Sequence, residues 1–170
     1  MIFISSMEPR PRIPLTLSPL DKTLEWTGNV LLVVIWGLTV YTFLQLPSTI
    51  PIHFNASGEA DNFGDKKTIL ILPVLATLLY VGLTYLNKFP HVFNYMSEIT
   101  QENAPKQYAI TTRMLRFVKL AILLVFSLII LFTYLTTIGV TKGLGSCFLP
   151  LVSILFLVPV IIAISKSVKK

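Results

Sequence analysis

The sequence predicts an all-α membrane protein of four transmembrane helices, with an ordered outward loop between helices 1 and 2 and an interfacial helix leading into helix 3. Three observations carry this. Hydrophobic residues make up 54% of the 170 and charged residues only 13%, against about a quarter charged in an ordinary soluble domain. Uncharged apolar runs occupy residues 26–46, 68–87, 120–141 and 148–165, each near the roughly 20 residues that a helix needs to cross a hydrocarbon core of about 30 Å. The fourteen Lys and Arg are spread over the segments between those runs, with no basic stripe or nucleic-acid motif, so the net charge of +6 reads as membrane orientation and no nucleic acid is expected as a partner.

Residues 1–25 carry Pro9, Pro11, Pro14 and Pro19 among Arg10, Arg12 and Lys22, and each proline removes a backbone donor and clashes with the preceding helical turn. An irregular arm is expected there, ahead of a single four-helix domain over 26–170. Met1 and Met7 are alternative starts, and the apolar run beginning at Trp26 is too long for the core of a cleaved signal peptide. After the first span, Pro47 and Pro51 stop the helix and open the loop 47–67. Pro73, deep in the second run, is expected to kink it.

The polar segment 88–119 contains Asn103 before Ala104 and Pro105, an N-cap followed by proline in the first turn. A helix from there places Ile110, Met114, Phe117, Val118 and Ala121 on one stripe before it enters the membrane. Lys142, Gly143 and Gly145 supply the turn to the last span. The lone Cys147 excludes an internal disulfide and is expected to pack as a small apolar residue.

Counted by segment, Lys and Arg number three in the arm, two in the first loop, five in 88–119, one in the last turn and three at the tail. Because cytoplasmic segments retain positive charge, both termini and 88–119 are expected in the cytoplasm, with the first loop outside. The spans themselves hold no Asp, Glu, Lys, Arg or His, which disfavours active transport. Thr77, Tyr80, Thr84 and Asn87 share one face of span two, and Ser127, Tyr134 and Thr137 one face of span three. Both faces are expected to point into the bundle as weak polar glue.

The first loop concentrates the special residues. His53, Glu59, Asp61 and Asp65 offer imidazole and carboxylate groups suited to zinc or manganese, yet their spacing fits no standard metal motif, and His91 falls on the other membrane side. The preferred reading is that they hydrogen-bond backbone groups in a tight turn, with Asp61 or Asp65 capping the next helix. His53, Asp61 and Asp65 remain the metal candidates, and no cofactor or catalytic residue is expected. Lys66 and Lys67 are read as bilayer-edge anchors, with a Lys66–Asp61 ion pair as an option. Arg113, Arg116 and Lys119 lie three apart at the edge of span three and are read as binding anionic lipid headgroups.

Leu46-Pro47, Ile50-Pro51-Ile52-His53-Phe54-Asn55, Gly58, Asp61, Gly64 and Lys66 together resemble the bacterial domain-of-unknown-function family 1648. Phe93-Asn94-Tyr95, Ile99-Thr100, Glu102-Asn103-Ala104 and Gln107-Tyr108 resemble the continuation in short members, extending the likeness from Glu8 past span three. The resemblance implies a bacterial inner-membrane protein, and the same domain begins the SdpI-type immunity proteins, which are longer, protect against a sporulation-delay toxin and sequester a repressor. What it carries to this chain is the motif loop: Pro47, Pro51, His53, Phe54, Asn55, Gly58, Asp61, Gly64 and Lys66.

The leading functional expectation is a non-enzymatic membrane protein whose outward loop recognises an exported peptide, an envelope or membrane-protein partner, or a lipid, in a sensing or immunity role. A second class is a structural or accessory subunit in which the loop is a staple between spans one and two. A third, an outward-facing metal-dependent enzyme, requires stoichiometric metal.

Overall fold

The computed structural model describes residues 10–168; Met1, Met7, Glu8 and Pro9 lie outside the described residues. Four long apolar helices cross one another in sequence: α1 (Pro19–Gln45), α2 (Ile71–Leu86), α3 (Ala104–Thr137) and α4 (Phe148–Val168). Between α1 and α2 lies an antiparallel hairpin of β1 (Thr49–Phe54) and β2 (Ala60–Asp65), followed by a 3-10 segment, Lys66–Leu70. All four helical stretches, the 3-10 segment counted with α2, are long and apolar enough to span a membrane. α3 touches the other three helices, while α4 packs against α3. The hairpin and the α3–α4 turn share one end of the bundle; the arm, the 88–103 segment and the end of α4 share the other.

The arm is shorter than expected. Pro19 starts α1 instead of blocking it, because proline at the first helical position gives up an N–H that has no partner there anyway. Ser18 caps that helix: its Oγ accepts from Asp21 N at 3.2 Å, and Asp21 Oδ2 accepts from Ser18 N at 3.0 Å, the reciprocal arrangement of a capping box. Pro73 likewise sits in the first turn of α2, after the 3-10 segment, so its effect is to separate the two helix types and not to kink mid-span.

The interfacial helix and the third span are one continuous 34-residue helix, about 51 Å long, so roughly 20 Å of it projects beyond the hydrocarbon at the Ala104 end. Asn103 is not its side-chain cap: Asn103 Oδ1 accepts from Thr100 N at 2.9 Å and Nδ2 donates to Glu98 O at 2.9 Å, ordering the preceding turn instead. Tyr108, fully buried, ties the arm down by donating to Pro11 O at 3.0 Å. Tyr95 stacks against Tyr108 with centroids 5.6 Å apart, and burial pushes its phenol up to about 12.

A core of Ile35, Leu46, Ile50, Ile69, Ala76, Tyr80, Leu123 and Ile130 joins the three inner helices to the hairpin. The two polar faces are used differently. On α2, Tyr80 is buried, Thr77 accepts from Trp36 Nε1 at 3.0 Å, and Asn87 Nδ2 donates to Thr112 O at 3.3 Å. On α3, Ser127 and Thr137 bond carbonyls of their own helix, Leu123 O and Thr133 O, each at 2.7 Å, while Tyr134 meets the Tyr41 ring edge-on. Of these two faces, that of α2 is the one whose polar groups bond neighbouring helices. Cys147 is exposed in the α3–α4 turn, against the expectation of apolar packing.

Gly58 joins the hairpin tip to that turn. Its φ is +78°, and an added Cβ would lie 2.4 Å from Gly145 O; its own carbonyl accepts from Leu144 N at 2.6 Å, and Glu59 bridges to Gly143. Gly58→Val is expected to lower stability by at least about 1–3 kcal/mol from backbone strain alone, read as a depressed melting temperature in detergent. Ser57→Val, at the exposed neighbouring position, is expected to leave the melting temperature unchanged.

Candidate functional site

Several polar groups of the hairpin have local partners. Asn55 Oδ1 accepts from Ser57 N at 2.9 Å and Glu59 N at 3.0 Å, closing the tip in the way short polar side chains imitate backbone turns. Asp65 Oδ1 accepts from Lys67 N at 2.7 Å and so caps the 3-10 segment. Lys66 turns back towards α1: its Nζ donates to Phe43 O at 3.3 Å and Leu46 O at 3.1 Å and lies 4.8 Å from the centre of the Phe43 ring. It thereby satisfies carbonyls that a helix C-terminus leaves open. The ion pair considered between Lys66 and Asp61 does not form, because Asp61 pairs with His53, Nδ1 to Oδ1 at 2.6 Å.

His53 and Asp61 are both exposed, with side chains 64% and 42% accessible, so the pair is free to meet a ligand. Asp65, committed to its cap, does not join them, and among the described residues no group of three or more metal-ligating side chains gathers. Pro47 is exposed at the α1 exit, whereas Pro51 and Gly58 are buried, and Phe54 and Gly64 half-buried. Beneath β1 lies a cavity of about 570 Å³. Ile50, Ile52, Phe54, Ile69 and Leu72 roof it, Ile129, Thr133, Leu144 and Phe148 form the wall from α3, the turn and α4, and His53 stands at its edge. This cavity is thus mainly apolar, with a polar side chain, His53, at its edge, the usual make-up of a ligand site.

At the opposite end Arg113, Arg116 and Lys119 turn inward. Arg113 Nε meets Asp21 Oδ1 at 2.7 Å, Arg116 Nε meets Glu25 Oε1 at 2.8 Å, and Lys119 Nζ meets Glu25 Oε2 at 2.7 Å. The Arg116 and Lys119 side chains are only 7% and 2% exposed, so the expected headgroup role is corrected for these two: a cation with a carboxylate at contact distance gains more there than in partial contact with solvent and lipid. Lys119 also donates to Thr84 Oγ1 at 2.8 Å and lies 4.7 Å from the Tyr80 ring centre. Tyr80 in turn donates to Asn29 Oδ1 at 2.9 Å, over Gly28, where a Cβ would stand 2.8 Å from the Tyr80 ring and hydroxyl. The spanning helices therefore do hold ionisable groups, at their ends. The polar chain stops at Asn29 and Tyr80, and beyond it the core is Ile35, Leu123 and Ile130.

Sequence reasoning did not single out Asp21 and Glu25. Their signal was present: Ser18-x-x-Asp21 is a capping box, and Asp21 and Glu25 lie four apart on one helix face, facing bases spaced three apart. The proline-rich surroundings concealed it.

Residues 30–77 match the profile of the family described as Domain of unknown function (DUF1648). The chain is also 30% identical over 89 residues to an uncharacterized protein of Archaeoglobus fulgidus, covering 48% of this chain and 49% of that one; it spans about half the length of this curated relative. No solved structure matches.

Removing one partner of a buried pair leaves an uncompensated charge, at a cost of about 3–5 kcal/mol, while exchanging both for apolar groups is often close to neutral. Glu25→Ala is accordingly expected to destabilise the bundle by about 3 kcal/mol, and Glu25→Ala with Lys119→Met to recover more than half of that loss, as read from melting of the purified proteins. Residues 30–77, which run from within α1 through the hairpin into α2, are a DUF1648 domain.

Proposed function

We propose that the protein is a non-enzymatic recognition module of the cytoplasmic membrane, in which the hairpin and the cavity beneath it take an apolar group of an exported peptide, an envelope partner or a lipid, in a sensing or immunity role. The carrying observation is the cavity of about 570 Å³ with exposed His53 at its edge, hydrogen-bonded to Asp61. Apolar walls supply affinity by removing ligand surface from water or headgroups, and the polar pair selects what is attached to the buried group. A fixed roof suits this task, since a preorganised site loses little entropy on binding. In this reading the hairpin faces outward and both termini are cytoplasmic, in keeping with the larger number of Lys and Arg in residues 88–119 than in the hairpin loop.

A second reading, the structural or accessory subunit, draws on a specific observation too. Lys66 pins the hairpin to α1 and Gly58 pins it to the α3–α4 turn, as a staple would require.

Two measurements separate these readings. With a photoreactive residue at Ile52, His53→Ala and Asp61→Ala are expected to abolish an in-cell crosslink to a ligand while leaving abundance and melting at the unsubstituted level. If both instead lower abundance as far as Gly58→Val does, the hairpin is a staple and the recognition reading fails. For orientation, in a Cys147→Ser background, cysteines at Ser57 and Ser146 are expected to react with an impermeant thiol reagent in intact cells and one at Ser97 is not; labelling at Ser97 reverses the assignment.

A further inference from the structure

We infer that the seam between α3 and α4, at the end of the bundle away from the hairpin, is a binding site for one anionic phospholipid, with a chain in the seam and the phosphate between Arg113 and Lys166. Two adjoining apolar hollows, of about 340 and 360 Å³, share Phe117, Val158 and Pro159 and so form one slot. It runs along α4 from Lys166 to Ile154, about 18 Å of helix at 1.5 Å per residue. That is close to half of a hydrocarbon core of roughly 30 Å, the depth of one leaflet. An acyl chain entering beside Lys166 therefore fits the slot, whereas a partner helix needs a wider bed.

Charge selects the headgroup. Arg113 spends Nε and Nη2 on Asp21 and Ser18, but its side chain is 32% exposed at the slot's mouth and Nη1 is not used in those bonds. Lys166 is exposed at the same mouth and pairs with no carboxylate among the described residues. The neighbouring ladder sets three bases, Arg113, Arg116 and Lys119, against two carboxylates, Asp21 and Glu25. Its surplus is positive, and Lys166 adds to it. A phosphodiester between the two basic side chains neutralises that surplus, while phosphatidylcholine brings its own cation and does not.

The test is native mass spectrometry of the full chain released from nanodiscs holding equal parts of phosphatidylglycerol and phosphatidylcholine. Retention of one phosphatidylglycerol in preference to phosphatidylcholine is expected, and Lys166→Gln should reduce that preference about fivefold, the equivalent of about 1 kcal/mol for one basic side chain near the surface. Equal retention of the two lipids, or an unchanged preference in Lys166→Gln with an unchanged melting temperature, overturns the proposal. Glycerol phosphate, which has the charge without the chain, is expected not to compete; competition would show an anion site without a role for the slot and also overturns it. Retention of phosphatidylglycerol that falls in His53→Ala and not in Lys166→Gln would place the lipid at the hairpin and also overturns the proposal.

Discussion

The rest of the structure depends on the contact between two carboxylates of α1 and three bases of α3. Apolar helices in lipid gain little from burying apolar surface against one another, because acyl chains are as apolar as leucine; what selects one packing is close fit and polar contact. Glu25 between Arg116 and Lys119, and Asp21 beside Arg113, pair all three bases in this register. Sliding α1 by a turn one way brings Asp21 to the place of Glu25 and leaves Arg113 unpaired; sliding it the other way brings Glu25 to the place of Asp21 and leaves Lys119, 2% exposed, without its counter-charge. The same cluster includes the Ser18 cap, so the start of α1 and its docking on α3 are one event. Through Thr84 and Tyr80 it also positions α2.

The far end is specified by different chemistry. There the backbone dominates: the Gly58 carbonyl accepts from the α3–α4 turn, and Lys66 closes the open carbonyls of α1. Between the two ends the core is largely aliphatic: buried Thr39 and Thr42 bond their own helix, and Trp36 reaches Thr77 across α1 and α2. Polar specificity at both ends and apolar packing between them is a consistent solution for a bundle in lipid. Water at the ends can hydrate such groups while the chain assembles, and the middle holds few polar groups that could set a competing register.

The four spans were legible because their signal is an average over about twenty residues, which no single exception can erase. Legibility failed where one residue decides. Pro19 reads as a breaker until its position relative to Ser18 is known, and Asn103 has the identity of an N-cap but spends its side chain on Thr100 and Glu98. Arg113, Arg116 and Lys119 read as headgroup ligands because their spacing along α3 was visible and the partners 91 to 94 residues away were not. Within the motif loop, Asp65 as a cap was foreseen, but strand pairing was not: Pro47 and Pro51, Gly58 and Gly64 leave little strand signal, and the two bulges around His53 break the alternation by which a strand is recognised.

The DUF1648 segment, residues 30–77, includes the hairpin and the Lys66 clamp, but Asp21, Glu25 and all of α3 and α4 lie beyond it. A chain sharing only that segment would possess the roof of the cavity without the wall made here by Ile129, Thr133, Leu144 and Phe148. Roof and wall also differ mechanically. The roof is held by backbone bonds at Gly58 and by Lys66, so substitutions there act on folding as well as on the site. Apart from Leu144 in the turn, the wall consists of side chains standing on α3 and α4, which can change size while the helix hydrogen bonds persist. In the proposed recognition role, selectivity for a buried group would therefore reside chiefly in the wall, and selectivity for its polar attachment in His53 and Asp61, whose side chains are exposed.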